Sequence, residues 1–253
     1  MTSVLTDPRS SLASLAGDAA SPFDVTRLGR ANRPVVVTTV APEILEAADC
    51  GIINTVATNV LDMLIKLPGG DVHIPEATAA WIGSLVGVVM EHESALVADP
   101  DPWYTYLTVH QSMVAAGVSQ RNGGAHIDGF QGVAYPEPLP GCHAYLLASR
   151  EPTVFYLQPF SVEGFNADFD NLYRLLDSQK NTELAWAPGA GQLVLASCYC
   201  VHESPVIRAT GPRTFVRIEF SRKRFDREEN TRNPLIDTSS WNWRPRPIPS
   251  HLR

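Results

Sequence analysis

Lysine is scarce in this 253-residue chain: three lysines stand beside seventeen arginines. The acidic residues number 27 and the net charge is −7. No stripe of basic residues with interleaved aromatics occurs, which argues against a nucleic-acid surface. Long hydrophobic runs are missing too. The longest charge-free apolar run, residues 77–90, contains two glycines and is too short to cross a bilayer. The N-terminal MTSVLTDPRSSLASLAG has neither a basic n-region nor a continuous apolar h-region, so no secretory leader is expected. Cysteine is limited to Cys50, Cys142, Cys198 and Cys200. None forms a CxxC, and the CxC of Cys198 and Cys200 lacks the second pair that a zinc site needs. Nothing demands a disulfide, so a reducing, cytoplasmic setting is the expectation. No internal repeat is visible.

What is present reads as one globular domain. Hydrophobic residues make up 44% and charged residues 19%, ordinary values for a soluble protein with a substantial core. Residues 1–33, rich in Ser, Ala and Pro, are expected to be loose, with a single domain over 34–253. The β-branched run at 34–40 predicts a strand. Residues 42–67 then carry apolar side chains every three or four positions and predict a helix ended by Gly69-Gly70. A second helix is expected over about 75–97, burying Trp81, Leu85, Val88, Val89 and Leu96. From Trp103 the pattern turns to β. Strand candidates are TYLTVHQSMV, AHIDGFQGVAY, HAYLLAS, TVFYLQPF, LAWAP, QLVLASCYCVH and RTFVRIEFS, with a short helix or insertion at 168–177. Two helices buttressing a β-sandwich or barrel is the architecture these patterns imply. The tail from Phe225, with Trp241 and Trp243, is too aromatic to be free and is expected to pack over a sheet or the mouth of a site.

The chemistry concentrates in GGAHIDGF, CYCVHES and GPRTFVRIEF. Residues i and i+2 of a strand share a face. His126 and Asp128 can therefore reach one ion while Ile127 packs the other way, and His202 supplies a third ligand from a distant strand. Two histidines and one carboxylate form the facial ligand set of non-haem Fe(II), with positions left open for chemistry. In the strand after His202, Arg213, Phe215, Arg217 and Glu219 alternate with Thr214, Val216, Ile218 and Phe220. The charged set either faces solvent or lines a polar lumen where a guanidinium grips a carboxylate by two hydrogen bonds.

The set His126, Asp128, His202 and Arg213 resembles the HxD…H…R pattern of the Fe(II)/2-oxoglutarate-dependent dioxygenases, over roughly residues 104–221. The resemblance implies an α+β, mainly β fold, a double-stranded β-helix (jelly roll, cupin-like) buttressed by the N-terminal helices. It implies Fe(II) on His126, Asp128 and His202, with 2-oxoglutarate as co-substrate and O₂ as oxidant. Arg213 would hold the far carboxylate, with Arg217 as the fallback. The expected activity couples 2-oxoglutarate decarboxylation to hydroxylation, desaturation or cyclisation of a small molecule. Compact size and composition favour an amino acid or natural-product intermediate as substrate. Asp128 argues against halogenation, a branch whose members lack that carboxylate. Two other classes stay open: an iron oxidase that does not use 2-oxoglutarate, and a non-catalytic jelly-roll binding module. The oligomeric state is not readable.

Other polar residues carry weaker signals. His110 lines the lumen or is a hydrogen-bonded core residue, and His92 and His143 read as structural or exposed. Gln131 reaches the site only through a bulge. Gly123, Gly124 and Gly129 permit close backbone approach or simple turns. Cys50 reads as a small buried hydrophobe, and Cys198 and Cys200 as sharing a strand face with His202.

Overall fold

The computed structural model describes residues 23–53, 57–78, 80–96, 103–121, 123–129 and 141–245. Its framework is two antiparallel sheets. The larger has strand order β1-β7-β4-β9-β3-β2. These strands are β1 (Val35–Thr39), β2 (Val60–Lys66), β3 (Tyr104–Val114), β4 (Cys142–Ala148), β7 (Gln192–Ser197) and β9 (Gly211–Ser221). The smaller sheet, in the order β6-β5-β8, contains β5 (Val154–Tyr156), β6 (Ala185–Trp186) and β8 (His202–Glu203). The α-helices among the described residues are α1 (Pro42–Ile53), α2 (Ala80–Leu96) and α3 (Leu172–Gln179).

Strand β9 organises the molecule. It pairs with β3 without a break from Tyr104↔Ser221 to Val114↔Gly211, and with β4 on its other side. Alternation then sorts its side chains. Val216, Ile218 and Phe220 join Trp81, Ile82, Leu85 and Val89 of α2 and Ala48 of α1 in one core. Phe215 faces the opposite way and packs with Ala144, Leu146, Val194 and Ala196 against Phe155 and Cys200 of the small-sheet region. Burying these apolar faces, at ~25 cal/mol per Å², is what holds helices and sheets together. The charged set of β9 does not face solvent: Arg213 and Glu219 are buried.

Several expectations change. The helix expected over 42–67 ends at Ile53, and its second half contains β2. A short apolar run such as VLDMLIK fits either period. Pairing with β3 (Met63↔Leu107, Leu64↔Tyr106) decides for strand, and the register shift between Val60 and Met63 marks a bulge there. Gly69-Gly70 therefore closes a strand, with Gly69 at φ 72. Helix α2 forms as expected but leaves Val88 exposed. Residues 1–22 lie outside the described residues. Those that follow are not loose: Val25–Gly29 is a 3-10 turn, Leu28 is buried, and Phe23 stacks on Tyr199. Cys50 is exposed rather than buried. The expected strand QLVLASCYCVH is two strands, β7 and β8, separated by a turn, so Cys198 and Cys200 do not share a strand face with His202. The C-terminal segment packs as expected: Phe225, Ile236 and Trp241 cluster with Leu64, Tyr104 and Tyr106.

Candidate metal centre

His126 and Asp128 lie on no regular strand. A single antiparallel bridge joins His126 to His202, with His126 N–H donating to His202 O at 2.9 Å and His202 N–H to His126 O at 2.8 Å. That bridge fastens the HxD turn to β8 and so brings the two histidines together, with ring centroids 4.7 Å apart. Ile127 is buried on the opposite side, with Ala125, Tyr156 and Leu172. One ligand atom from each of His126, Asp128 and His202 lies within 4.8 Å of the others, the single such cluster of metal-capable groups among the described residues. Asp128 Oδ2 is 3.8 Å from His202 Nε2.

The imidazoles are prepared for a cation. His126 Nδ1 lies 2.8 Å from Gly124 O, and His202 Nδ1 lies 2.9 Å from Cys200 O. A carbonyl only accepts, so each Nδ1 carries a proton, and in the neutral ring Nε2 is the nitrogen left to bind a cation. This is how metal-ligating histidines are oriented from behind. Burial, with help from the neighbouring His202, pushes His126 down to about 4, so it is neutral at pH 7. Burial also works against the Asp128 carboxylate. Arg217 foremost outweighs it and holds Asp128 well below the usual carboxylate range. Two imidazoles and one carboxylate fit a divalent metal of borderline softness such as Fe(II).

The surroundings explain the glycines. Gly124 stands at φ 85, and a Cβ there would come within 2.9 Å of Tyr173. Tyr173, from α3, stacks on His126 at 5.2 Å and hydrogen-bonds through its hydroxyl to Gly123 O. Asp177, also from α3, accepts from Ala125 N–H at 2.8 Å. The residue 168–177 insertion therefore clamps the HxD turn, a role its sequence did not announce. A cavity of about 10 Å³, room for about one water, lies beside the triad between Asp128, His202, Ala144, Ala196 and Glu219.

The two arginines part company. Arg213, 1% exposed, donates from Nε to Arg150 O at 3.1 Å, from Nη2 to Glu151 O at 3.1 Å, and from Nη1 to Gln120 Oε1. Burial pulls it down to about 10, still protonated at neutral pH. Among the described residues no carboxylate pairs with it. Arg217 instead donates from Nη1 to Asp128 Oδ1 and from Nη2 to Asp62 Oδ1, each at 2.8 Å. Burial pushes Glu219, beside it, up to about 7 against the pull of Arg217.

Of the weaker candidates, His110 is half-buried on β3 opposite Phe215. Burial lowers it below its ordinary value, with the charges of Arg121 and Arg213 adding to the effect. His143 and His92 are structural. His143 Nε2 meets Glu93 at 2.9 Å, and Tyr145 hydroxyl bridges Glu93 and His92. Gln131 lies outside the described residues. Sequence reasoning missed Asp62, because that segment was read as helix, and Arg121, whose guanidinium lies over Phe215 with its centre 4.9 Å from the ring.

No family model matches the chain, and neither does any curated protein. Loose overlaps with solved structures do occur. A non-haem monooxygenase, ThoJ in complex with nickel, overlaps with a TM-score of 0.43 at 13% identity, covering 88% of this chain and 89% of its own. A prolyl-4-hydroxylase from Pseudomonas putida gives 0.42 at 14% identity, covering 85% and 100%. An oxidoreductase of the 2OG-Fe(II) oxygenase family from Burkholderia pseudomallei gives 0.43 at 12% identity, covering 88% and 94%.

Proposed function

We propose that this protein is a non-haem iron oxygenase of jelly-roll type that couples 2-oxoglutarate decarboxylation to oxidation of a small molecule. The observation that carries the reading is the preparation of the triad. Both Nδ1 atoms are committed to backbone carbonyls, which leaves His126 Nε2, His202 Nε2 and Asp128 Oδ2 as ligands for one ion. Bound there, Fe(II) supplies O₂ activation at its open positions, with 2-oxoglutarate as the source of electrons.

The protein's own residues divide the remaining work. Among the described residues the hydrogen bonds of the buried Arg213 go to carbonyl and amide oxygens, and it makes no ion pair although the Glu151 charge lies near. Such a charge is costly unless an anion arrives, which favours Arg213 over Arg217 as the holder of the distal carboxylate. The same feature favours the 2-oxoglutarate-dependent reading over an oxidase that does without it. Tyr173 and Asp177 hold the HxD turn, and the apolar side chains Leu146, Val194 and Phe155 keep water from the inner face. The substrate we infer is an amino acid or natural-product intermediate, and hydroxylation, desaturation and cyclisation are all within reach of the site.

Anaerobic addition of Fe(II) and 2-oxoglutarate tests this directly. The wild-type protein should develop a visible charge-transfer band and, with substrate and O₂, form succinate. His202→Ala should lose the band and the turnover while keeping its circular dichroism. Iron binding without a 2-oxoglutarate-dependent band would point to the oxidase. Failure to bind iron would point to a binding module.

A further inference from the structure

Behind Asp128 runs a line of buried charges to which the reading above gives no task. Asp128 presents Oδ2 toward His202 Nε2, whereas its Oδ1 accepts from Arg217 Nη1 at 2.8 Å. The guanidinium is spread over two more carboxylates: Nη2 donates to Asp62 Oδ1 at 2.8 Å, and Nε lies 3.4 Å from Glu219. Asp62 is 2% exposed and sits at φ 43, a left-handed conformation uncommon outside glycine that an Asp adopts with local hydrogen bonds to support it. Thr108 supports it from both ends. Its Oγ1 accepts from Asp62 N–H at 3.1 Å and donates to Asp62 Oδ1 at 2.9 Å. Asp62 Oδ2 is 3.6 Å from Arg227 Nη1, in the C-terminal segment.

We propose that Asp62 and Arg217 form a positioning device for the metal-binding carboxylate, a proposal that rests on reading His126, Asp128 and His202 as the metal site. A carboxylate swings readily about its last torsion, and either oxygen or both can face a cation. Arg217 pins Oδ1, so Asp128 offers Oδ2 alone and the third protein ligand occupies one position rather than two. Asp62 does the converse service for Arg217. By sharing the guanidinium it fixes the fork's plane and keeps Arg217 from neutralising Asp128 outright. The strained backbone of Asp62 at the β2 bulge is the structural cost of placing an acid there. Arg217 and Asp62 are thus positioning residues, and neither is assigned contact with substrate.

The test uses Co(II) as a spectroscopic probe in the full chain, with affinity and the visible d–d spectrum as readouts independent of turnover. Asp62→Asn keeps size and the contact with Thr108 but removes the competing charge. Arg217→Lys keeps a cation but loses the fork. Asp62→Asn should bind Co(II) about ten- to a hundredfold more weakly, the usual effect of removing a group that orients a ligand. Arg217→Lys should change the d–d band shape, because Asp128 is then free to bind through both oxygens. Circular dichroism identifies any variant that fails to fold, and the other variant then decides. Wild-type affinity and spectrum in every folded variant would overturn the positioning role while leaving the metal site standing. Absence of Co(II) binding by the wild-type protein would remove the metal site, and the proposal with it.

Discussion

Arg213 and Arg217 sit on one face of one strand with Phe215 between them, yet their partners differ. Arg213 touches only neutral oxygens, whereas Arg217 is shared among carboxylates. Arg213→Lys should therefore weaken 2-oxoglutarate binding about tenfold, or ~1.4 kcal/mol, through loss of the two-pronged grip. Equilibrium titration of the metal-loaded protein checks this. An effect confined to Arg217→Lys would reverse the assignment. At Gly124 the constraint is steric. Its φ of 85 and the 2.9 Å approach of Tyr173 leave no place for a methyl group. Gly124→Ala should cost about 1–3 kcal/mol. It should also weaken metal binding although it alters no ligand, since the Gly124 carbonyl sets the His126 tautomer. Thermal melts paired with metal titration separate the two effects.

Helix α2 shows what a single element contributes. Its inner face buries Ile82, Leu85, Val86 and Val89 on the large sheet, while Val88 is 37% exposed. Leu85→Ala should cost ~2–5 kcal/mol, and Val88→Ala less than ~0.5 kcal/mol beyond its change in helix propensity. Denaturant midpoints measured on both variants check which face is inward, and equal midpoints would mean the helix is rotated. The same helix carries Glu93, which is buried between His143 and Tyr145. The apolar period of α2 was legible because 3.6-residue spacing follows directly from a helix buried on one side. Strand β2 was not, because its VLDMLIK is buried on both faces and carries no alternation to read. Its pairing with β3 settles the matter, and with it the placement of Asp62.

At the scale of the whole molecule, the C-terminal segment packs on strands β2 and β3. Phe225 stacks on Tyr106 at 4.3 Å, its N–H donates to the Tyr106 hydroxyl at 2.8 Å, and Trp241 meets Tyr104 edge-on at 6.1 Å. Arg244 N–H donates to Asp226 O and Glu228 N–H to Arg244 O, which closes the segment back on itself. Deleting the chain after Ser239 removes Trp241, Trp243 and these bonds. Removing them should cost about 1–3 kcal/mol and lower the melting temperature by several degrees. It should also raise 2-oxoglutarate consumption uncoupled from product if the segment helps exclude water from the site. An unchanged melting temperature with unchanged coupling would show the segment to be passive. No described helix is long and apolar enough to cross a membrane.

The sequence alone supplied the candidate donors and the broad pattern. His126, Asp128 and His202 were identifiable as candidates because few residue types bind a borderline metal and the His126–Asp128 spacing is short-range, with His202 the distant third. The β-rich second half was readable because period two survives wherever one face is apolar. Alternation alone does not separate Arg213 from Arg217, since both satisfy it, and only the resemblance puts Arg213 first with Arg217 as the fallback. Tertiary structure separated them by their partners, through Asp62 from a mis-assigned strand and through backbone carbonyls at 150 and 151 that carry no side-chain signal. The same holds for the tautomer-setting carbonyls of Gly124 and Cys200, and for Tyr173 above His126. Each depends on contacts far apart in the chain, and local periodicity contains no information about them.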